Sequence, residues 1–305
     1  MNLAIEVKSP KFSVNAVSKL FASHDVSDST RREYEQRAGL FVGYVQEHGL
    51  NPNTLLLFKR SLSARQDYST ATRNKYLTTA RIMLKELHRR GKIPVDIIQN
   101  IKSFKQGRLH KRIGLNRPEI ERLALAISKL SPNPRNARLG ALFHLLAFQG
   151  LRQIEIVRLD VTDLDLVAGT AMVHGKGEDD KERIYLAPET VKALKQYLTL
   201  YPLKSGALFK SMGNRKRERL STMTIRREMH KLFDLLNINK TVHGFRHYFV
   251  TALLERMSIH DVRKFSRHKG YDMLIAYDDA LDIKAKSQSA FDAVSPFRSN
   301  ILNVR

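Results

Sequence analysis

The chain has 305 residues, enough for one large domain or two of moderate size. Its 53 Lys and Arg residues against 30 Asp and Glu residues give a formal net charge of +23, which favours nucleic acid as a partner and places an anionic membrane surface second. The absence of cysteine excludes disulfides, thiolate catalysis and cysteine-based zinc sites.

The N-terminal residues 1–25 are predicted to be a tail. They lack the apolar segment of a secretory signal, and no run of about 18 apolar residues follows anywhere in the chain, so we expect a soluble, cytoplasmic protein with no membrane partner.

Residues 26–99 are predicted to form a helical domain. Apolar residues recur every three or four positions in three segments, and Ser or Thr cap candidates open the first and third of these. Gly49 and Gly91 are the expected stops. The segments are SDSTRREYEQRAGLFVGYVQEHG, NPNTLLLFKRSLSAR and STATRNKYLTTARIMLKELHRRGK.

Residues 100–117 form a basic, irregular stretch that we interpret as an interdomain linker. Both flanking parts of the chain carry a net positive charge, as they would if both contacted one polyanion. A merely solvated linker is the alternative. The candidate phosphate contacts in this stretch are Lys102, Lys105, Arg108, Lys111 and Arg112.

Residues 118–287 read as a second, mainly helical domain with one strand pair, TAMVHG and ERIYLAP, joined by the polar turn KGEDDK. The fold class is therefore mainly α with a small β-hairpin. Residues 288–305 are predicted to be an apolar and basic C-terminal tail. The exposed loop GNRKRERL adds further candidate DNA contacts, namely Arg215, Lys216, Arg217 and Arg219.

The second domain carries a set of chemically active residues in a fixed order, namely Arg152, Lys176, His243, Arg246, His268 and Tyr277. Their order and intervals resemble those of the tyrosine recombinases, or phage integrases. The resemblance covers nearly the whole chain and implies a helical, SAM-like core-binding domain followed by a catalytic domain.

The residue types suit attack on a phosphodiester, which adds negative charge to the non-bridging oxygens. Arg152 and Arg246 are candidates to neutralise that charge through paired hydrogen bonds. His243 lies three residues before Arg246, so both share one helix face, and its imidazole suits proton transfer near neutral pH. The neighbouring His247 is expected to point elsewhere, as a structural or surface residue.

Tyr277 matches the nucleophile of the family, although a free phenol with a pKa near 10 needs activation. Tyr271 is a minor alternative. By resemblance, His268 binds a phosphate oxygen or positions the nucleophile. Glu155, one turn from Arg152, is a candidate to orient an arginine or a histidine.

Two departures from the family pattern stand out. The turn after Lys176, the candidate general acid, inserts acidic residues and leaves Lys181 as a rival for that role. The Leu-Gly that usually precedes the last histidine is replaced by Ser266 and Arg267, which leaves the helix packing there open.

The resemblance implies a site-specific recombinase or integrase, nucleoid-associated and belonging to a mobile element or to a dimer-resolution system. It would exchange strands of double-stranded DNA through a 3′-phosphotyrosyl bond and a Holliday junction, without metal, ATP or another cofactor. A homo-tetramer on DNA is implied, with accessory DNA-bending proteins as possible partners and the C-terminal tail docking on a neighbouring protomer.

Three other readings stay open. One is a type IB topoisomerase that relaxes supercoils, and a second is a catalytically silent DNA-binding regulator. The third is a metal-dependent nuclease, for which the sequence offers only acidic clusters that look incidental.

Overall fold

A computed structural model describes residues 14–93, 97, 101–105, 114–175, 180–212 and 218–278. The chain divides into two compact units, Met1–Gly107 and Arg108–Arg305, and the division falls inside the basic segment predicted as a linker. None of the helices in the described ranges has the length and apolar character needed to cross a membrane.

The first unit contains helices α1 (Val14–Phe21), α2 (Asp28–His48), α3 (Thr54–Ala64) and α4 (Thr70–Arg89). Ser27 and Ser69 cap α2 and α4, because each hydroxyl oxygen accepts a hydrogen bond from the backbone N–H three residues later. Gly49 and Gly91 follow these helices with φ of 74° and 68°, a conformation that glycine adopts at little cost. The three helices predicted for this unit are present with the predicted caps and stops.

Helix α1 lies within residues 1–25, which the sequence pattern assigns to a tail. Its Phe21 is fully buried in the helical core of the first unit. Just after it, Ser23 donates a hydrogen bond of 3.1 Å to Glu86 on α4, and Arg90 on the same turn donates one of 2.9 Å to the carbonyl of Lys19. Eight residues are too few for a periodicity that stands out in the sequence, so packing against α4 reveals this helix where local pattern does not.

The described part of the second unit is mostly helical with one small sheet, as predicted. Its elements are α5 (Arg117–Ser128), α6 (Pro134–Ala147), α7 (Gln153–Arg158), β1 (Leu164–Asp165), β2 (Thr170–His174), β3 (Lys181–Tyr185), α8 (Pro188–Leu200), α9 (Thr222–Leu235), α10 (His243–Leu254), α11 (Ile259–Ser266) and α12 (Asp272–Asp278).

The sheet is antiparallel in the order β1-β2-β3. Strands β2 and β3 pair from Thr170 with Tyr185 to His174 with Lys181, which confirms the predicted hairpin strands. Ala171 and Val173 point into the core, following the alternation of a half-buried strand. Strand β1 was not expected, because two residues are too short to show an alternating pattern.

Helix α10 contributes to two apolar clusters and so fixes the position of the C-terminal helices. Its Phe245 contacts Phe143 of α6 and Phe233 of α9, with ring centroids 5.8 Å and 5.6 Å apart. Its other face packs against α11 and α12. The buried members of this second cluster are Val250, Leu254, Val262, Leu274 and Tyr277.

Candidate active site

Arg152 stands at the start of α7, just after a sharp break from α6. Gly150 forms that break with φ of 57°. A Cβ atom at Gly150 would lie 2.3 Å from the ring of Phe249, so both backbone conformation and space require glycine here. Gly150 thus separates α6 from α7 and leaves Arg152 at the N-cap of α7.

Glu155 holds Arg152 in place. One carboxylate oxygen accepts a hydrogen bond of 2.8 Å from the backbone N–H of Arg152, and the other accepts one of 2.7 Å from its Nη1. The second guanidinium on this carboxylate is that of Arg267, whose Nη2 lies 2.9 Å from Oε2. Burial by itself raises the pKa of Glu155, but the charges of Arg267 and Arg152 outweigh it and leave the pKa below its ordinary value, so this fully buried group is a carboxylate.

Arg246 lies on α10 with its side chain buried. Its Nη1 donates a hydrogen bond of 2.7 Å to the carbonyl of Gly150, and its Nη2 donates to the carbonyl of Ser266. Burial, followed by repulsion from Arg152 and Arg267, lowers the pKa of Arg246 to about 9. The group is still cationic at neutral pH, so the interior of this site carries a buried positive charge.

His268 takes its orientation from two neighbours. Nη2 of Arg246 lies 3.3 Å from Nε2, and the hydroxyl of Ser266 lies 2.7 Å from Nδ1. Because a guanidinium only donates, Nε2 accepts and Nδ1 carries the proton that it donates to Ser266. Burial, then the charges of Arg246, Arg152 and other nearby groups, lowers the pKa of His268 to about 3. The imidazole is therefore neutral at physiological pH.

Tyr277 lies on α12 with only 1% of its surface exposed. Its ring packs edge-on against His247, with centroids 4.7 Å apart, and lies 6.3 Å from the ring of His268. Burial raises the pKa of the phenol, while Arg246 and Arg152 act in the opposite direction. The structure thus brings Tyr277 into the same cluster as His268 and the two arginines.

His243, at the first position of α10, is exposed and borders a cavity of about 240 Å³. Arg152 and Arg246 border the same cavity, together with Arg226 of α9. The predicted sharing of one face by His243 and Arg246 therefore places both beside Arg152.

Comparisons with known proteins identify the family of the chain. A model of the phage integrase family matches residues 115–282, more than half of the chain. The chain belongs to the phage integrase family.

Curated relatives of this integrase-family chain are tyrosine recombinases. XerC of Rhodospirillum centenum is 30% identical over 245 residues, which cover 75% of this chain and 70% of the relative. XerD of Staphylococcus epidermidis is 28% identical over 254 residues, which cover 70% and 83%.

Solved structures of integrase-family proteins share the fold. A post-cleavage complex of the site-specific recombinase XerH with a palindromic difH substrate superposes with a TM-score of 0.72 at 18% identity, covering 92% of this chain and 85% of that chain. A lambda integrase tetramer bound to a Holliday junction gives a TM-score of 0.67 at 15% identity, with coverages of 91% and 80%. At these low identities, the two superpositions show that the chain shares the fold of these proteins.

Lys176, the predicted general acid, lies outside the described residues, in the segment 176–179 between β2 and β3. The rival Lys181 is described, and its Nζ forms a 2.5 Å ion pair with Asp163, a carboxylate that is 7% exposed. This contact connects Lys181, the first residue of β3, to the residue directly before β1. Asp180, from the acidic turn, is exposed and borders a small cavity of about 90 Å³ with Arg152 and Arg267.

Sequence reasoning missed three residues of this recombinase site. Ser266 and Arg267 drew attention only as departures from the family pattern, yet they bind His268 and Glu155 directly. His247 was expected to point elsewhere, and the structure contradicts this, because its ring packs on Tyr277. At i and i+4, His243 and His247 both lie on α10, and helix geometry alone does not tell which of them meets α12.

Few of the predicted DNA-contact residues of the integrase-family chain are described. Lys102 and Lys105 are exposed on the extended segment 101–105 of the first unit. Asn74 of α4 fixes that segment through hydrogen bonds of 2.9 Å and 3.0 Å with the backbone of Phe104. The other candidates, Arg108, Lys111, Arg112, Arg215, Lys216 and Arg217, lie outside the described residues.

Arg219 differs from its predicted role as a phosphate contact. Its guanidinium donates to the carbonyl of Val157 at 2.8 Å and to the carboxylate of Asp160 at 2.6 Å. These bonds connect the segment before α9 to the end of α7, which is a structural role.

Proposed function

We propose that this chain cuts and rejoins DNA strands by attack of Tyr277 on a backbone phosphate, giving a 3′-phosphotyrosyl bond and a free 5′-hydroxyl. The observation that carries the proposal is the packing of the Tyr277 ring beside His268, where Arg246 and Arg152 act on its phenol. A tyrosine that served only the core would not need two guanidinium groups near its hydroxyl.

Two arginines supply the charge that the transition state needs. A phosphorus atom under attack carries extra negative charge on its non-bridging oxygens, and guanidinium groups held in place stabilise it without reorganisation. Glu155 fixes Arg152, and backbone carbonyls fix Arg246. The described contacts of Arg246 use three of its five N–H donors, so donors are left for a phosphate oxygen.

The proposed step balances as follows. The phenolic oxygen of Tyr277 gives an electron pair to phosphorus, the bond from phosphorus to the 5′ oxygen breaks, and that oxygen leaves with its electron pair. The phenol proton passes to a base, for which His243 beside Arg246 is the candidate. The leaving oxygen takes a proton from Lys176, the candidate general acid.

Rejoining reverses these steps with a different strand. A 5′-hydroxyl of a partner duplex attacks the phosphotyrosyl phosphorus, restores the phosphodiester and releases Tyr277. Ester is exchanged for ester, so the scheme consumes no ATP, and the arginines fill the charge-stabilising role that a metal ion has elsewhere. Two such exchanges pass through a Holliday junction, for which the lambda integrase tetramer on such a junction is the supporting parallel.

The test is capture of the covalent intermediate. The purified full-length chain is mixed with a pool of nicked double-stranded oligonucleotides with randomised cores, so that the fragment beyond the cut diffuses away and the adduct accumulates. The expected result is a denaturation-resistant protein–DNA adduct whose modified peptide, by mass spectrometry, contains Tyr277. Chelator in the buffer is expected to leave the yield unchanged.

Matched tyrosine variants make the test specific. Tyr277→Phe is expected to lower adduct yield at least about 10³-fold, because no other group replaces the nucleophile. Tyr271→Phe removes the hydroxyl six residues earlier and should leave the yield near wild type. Adduct on Tyr271, cleavage that requires metal, or wild-type cleavage by Tyr277→Phe would each overturn the proposal. Relaxation of supercoils at unrelated sequences would assign topoisomerase activity instead.

A further inference from the structure

Arg267 occupies a backbone conformation that is unfavourable for arginine. Its φ and ψ are 54° and 46°, in the left-handed region. The backbone N–H of His268 donates to the carbonyl of Arg263, and that of Arg267 to the carbonyl of Lys264, which is the pattern of a helix end that normally has glycine at this position. The helix end needs this conformation, but it does not need an arginine.

The side chain of Arg267 turns inward and is only 7% exposed. Nη2 donates 2.9 Å to Oε2 of Glu155, and Nη1 donates 3.3 Å to the carbonyl of Phe265. Its Nε is buried and finds no hydrogen-bond partner among the described residues. A guanidinium buried with one donor unsatisfied is costly, so packing alone does not account for it.

Local charge gives a reason for this arrangement. Without Arg267, Arg152 and Arg246 would carry two positive charges against the one negative charge of Glu155, a surplus of +1. With Arg267 present, Arg152, Arg246 and Arg267 carry three positive charges against the one negative charge of Glu155, which leaves +2 beside the cavities that Arg152 borders. Since the carboxylate and two of the guanidinium groups are buried, solvent screens this surplus only weakly.

We propose that Arg267 is a positioning residue of this site, whose charge offsets that of Glu155 so that Arg152 keeps its positive charge for an anionic phosphate. This rests on the proposed function only in identifying the phosphate as that of DNA. Glu155 fixes the direction of Arg152, and Arg267 cancels the charge that this fixing would otherwise bring to the site.

The decisive variant is Arg267→Gly, because glycine suits the left-handed helix end and the fold is expected to be kept or stabilised. We expect single-turnover adduct formation on the nicked duplex pool to fall about 10-fold, because one weakly screened positive charge near the phosphate is lost. Adding Glu155→Gln removes the carboxylate charge but also one of the two acceptors that hold Arg152, so we expect the double variant to recover part of the lost rate.

A matched control isolates backbone strain. Asn237 is the other described non-glycine residue with positive φ, at 51°, and Asn237→Gly should leave the rate unchanged. If Arg267→Gly cleaves like wild type, or if the double variant is no faster than Arg267→Gly alone, Arg267 serves only the helix end and the inference is wrong.

A second readout needs no DNA and separates this inference from the proposed function. Inorganic phosphate is titrated into the full-length protein while the Nε–Hε resonance of Arg152 is followed by NMR. Wild type should bind phosphate several-fold more tightly than Arg267→Gly, and the double variant should recover part of that affinity. Equal affinity in all three proteins overturns the inference, even if adducts on Tyr277 form as proposed.

Discussion

Each unit of the chain buries a carboxylate between two arginines, and the two arrangements serve different ends. In the first unit, Glu86 is 4% exposed and binds Arg89 and Arg90, whose side chains are 64% and 36% exposed. In the second unit, Glu155 is fully buried and binds Arg152 and Arg267, which are 30% and 7% exposed. Water screens the first set of cations far more than the second.

The surplus of positive charge around the buried carboxylate also differs between the two regions. Around Glu86 the contacts link α1 to α4 through Ser23 and the carbonyl of Lys19, so each arginine completes a structural connection. Around Glu155 a third guanidinium, the buried Arg246, adds positive charge that the carboxylate does not match. Paired arginines on a carboxylate therefore do not identify a site, whereas buried cations in excess of carboxylates do.

Replacing one arginine by lysine in each region should give the largest difference in the rate of adduct formation. Arg246→Lys keeps the charge but loses the planar fork that binds two oxygens, so we expect adduct formation to fall at least about 100-fold, near 3 kcal/mol in the barrier. Arg89→Lys should leave adduct formation unchanged. The measurement is the single-turnover rate at saturating nicked duplex, with circular dichroism to verify folding. A similar loss in both variants would mean that the two regions do not differ as described.

Acid should destabilise the two regions in different pH ranges. The unfolded chain protonates His268 near pH 6.5, but the folded state keeps it neutral down to about pH 3, so stability falls as the pH drops below 6.5. Hydrogen bonds from Arg89, acting against burial and assisted by those from Arg90 and Ser23, lower the pKa of Glu86 to about 2. Its contribution is complete above pH 4.5 and is lost between 4.5 and 2.

Glutamine variants test these ranges through urea unfolding followed by circular dichroism. His268→Gln should remove about 1–2 kcal/mol of the stability loss between pH 6.5 and 5. Glu86→Gln should change the pH dependence only below about 4.5. If His268→Gln unfolds with the same pH dependence as wild type, the imidazole is not held neutral by the fold.

Much of the fold is predictable because it depends on local rules. Ser27 and Ser69 lie directly before the helices that they cap, and the alternation of β2 is visible within five residues. The order of Arg152, His243, Arg246, His268 and Tyr277 is also readable, since each residue type has a separate task in phosphate chemistry. The structure places these five around one region of the second unit.

The part of the fold and of the site that could not be predicted depends on contacts between residues far apart in the sequence. Arg267 and Glu155 are 112 positions apart, and nothing in the local pattern of either segment indicates that they meet. The same holds for Arg219 and Asp160, 59 positions apart, where a run of basic residues suggested DNA contact and the fold provides a carboxylate. Departures from a family pattern were the usable signal, because Ser266 and Arg267 both turned out to contact site residues.

The smallest expected effect concerns Ser266, whose buried hydroxyl accepts the Nδ1 proton of His268. Ser266→Ala removes a neutral hydrogen bond worth about 1 kcal/mol, so adduct formation should fall about 3- to 10-fold. The ¹⁵N shifts of the imidazole report the change: we expect the Nδ1 resonance to move as its hydrogen bond is lost, while Nε2 stays unprotonated because Arg246 still donates to it. Ser258→Ala is the matched control at the other end of α11, where the serine caps the helix through Asp261. It should lower thermal stability without changing the ¹⁵N shifts of His268 or the rate, since within the described residues its hydroxyl bonds Asp261 of that first turn. An unchanged Nδ1 shift and a wild-type rate in Ser266→Ala would mean that the hydroxyl only packs there and that Arg246 alone orients His268.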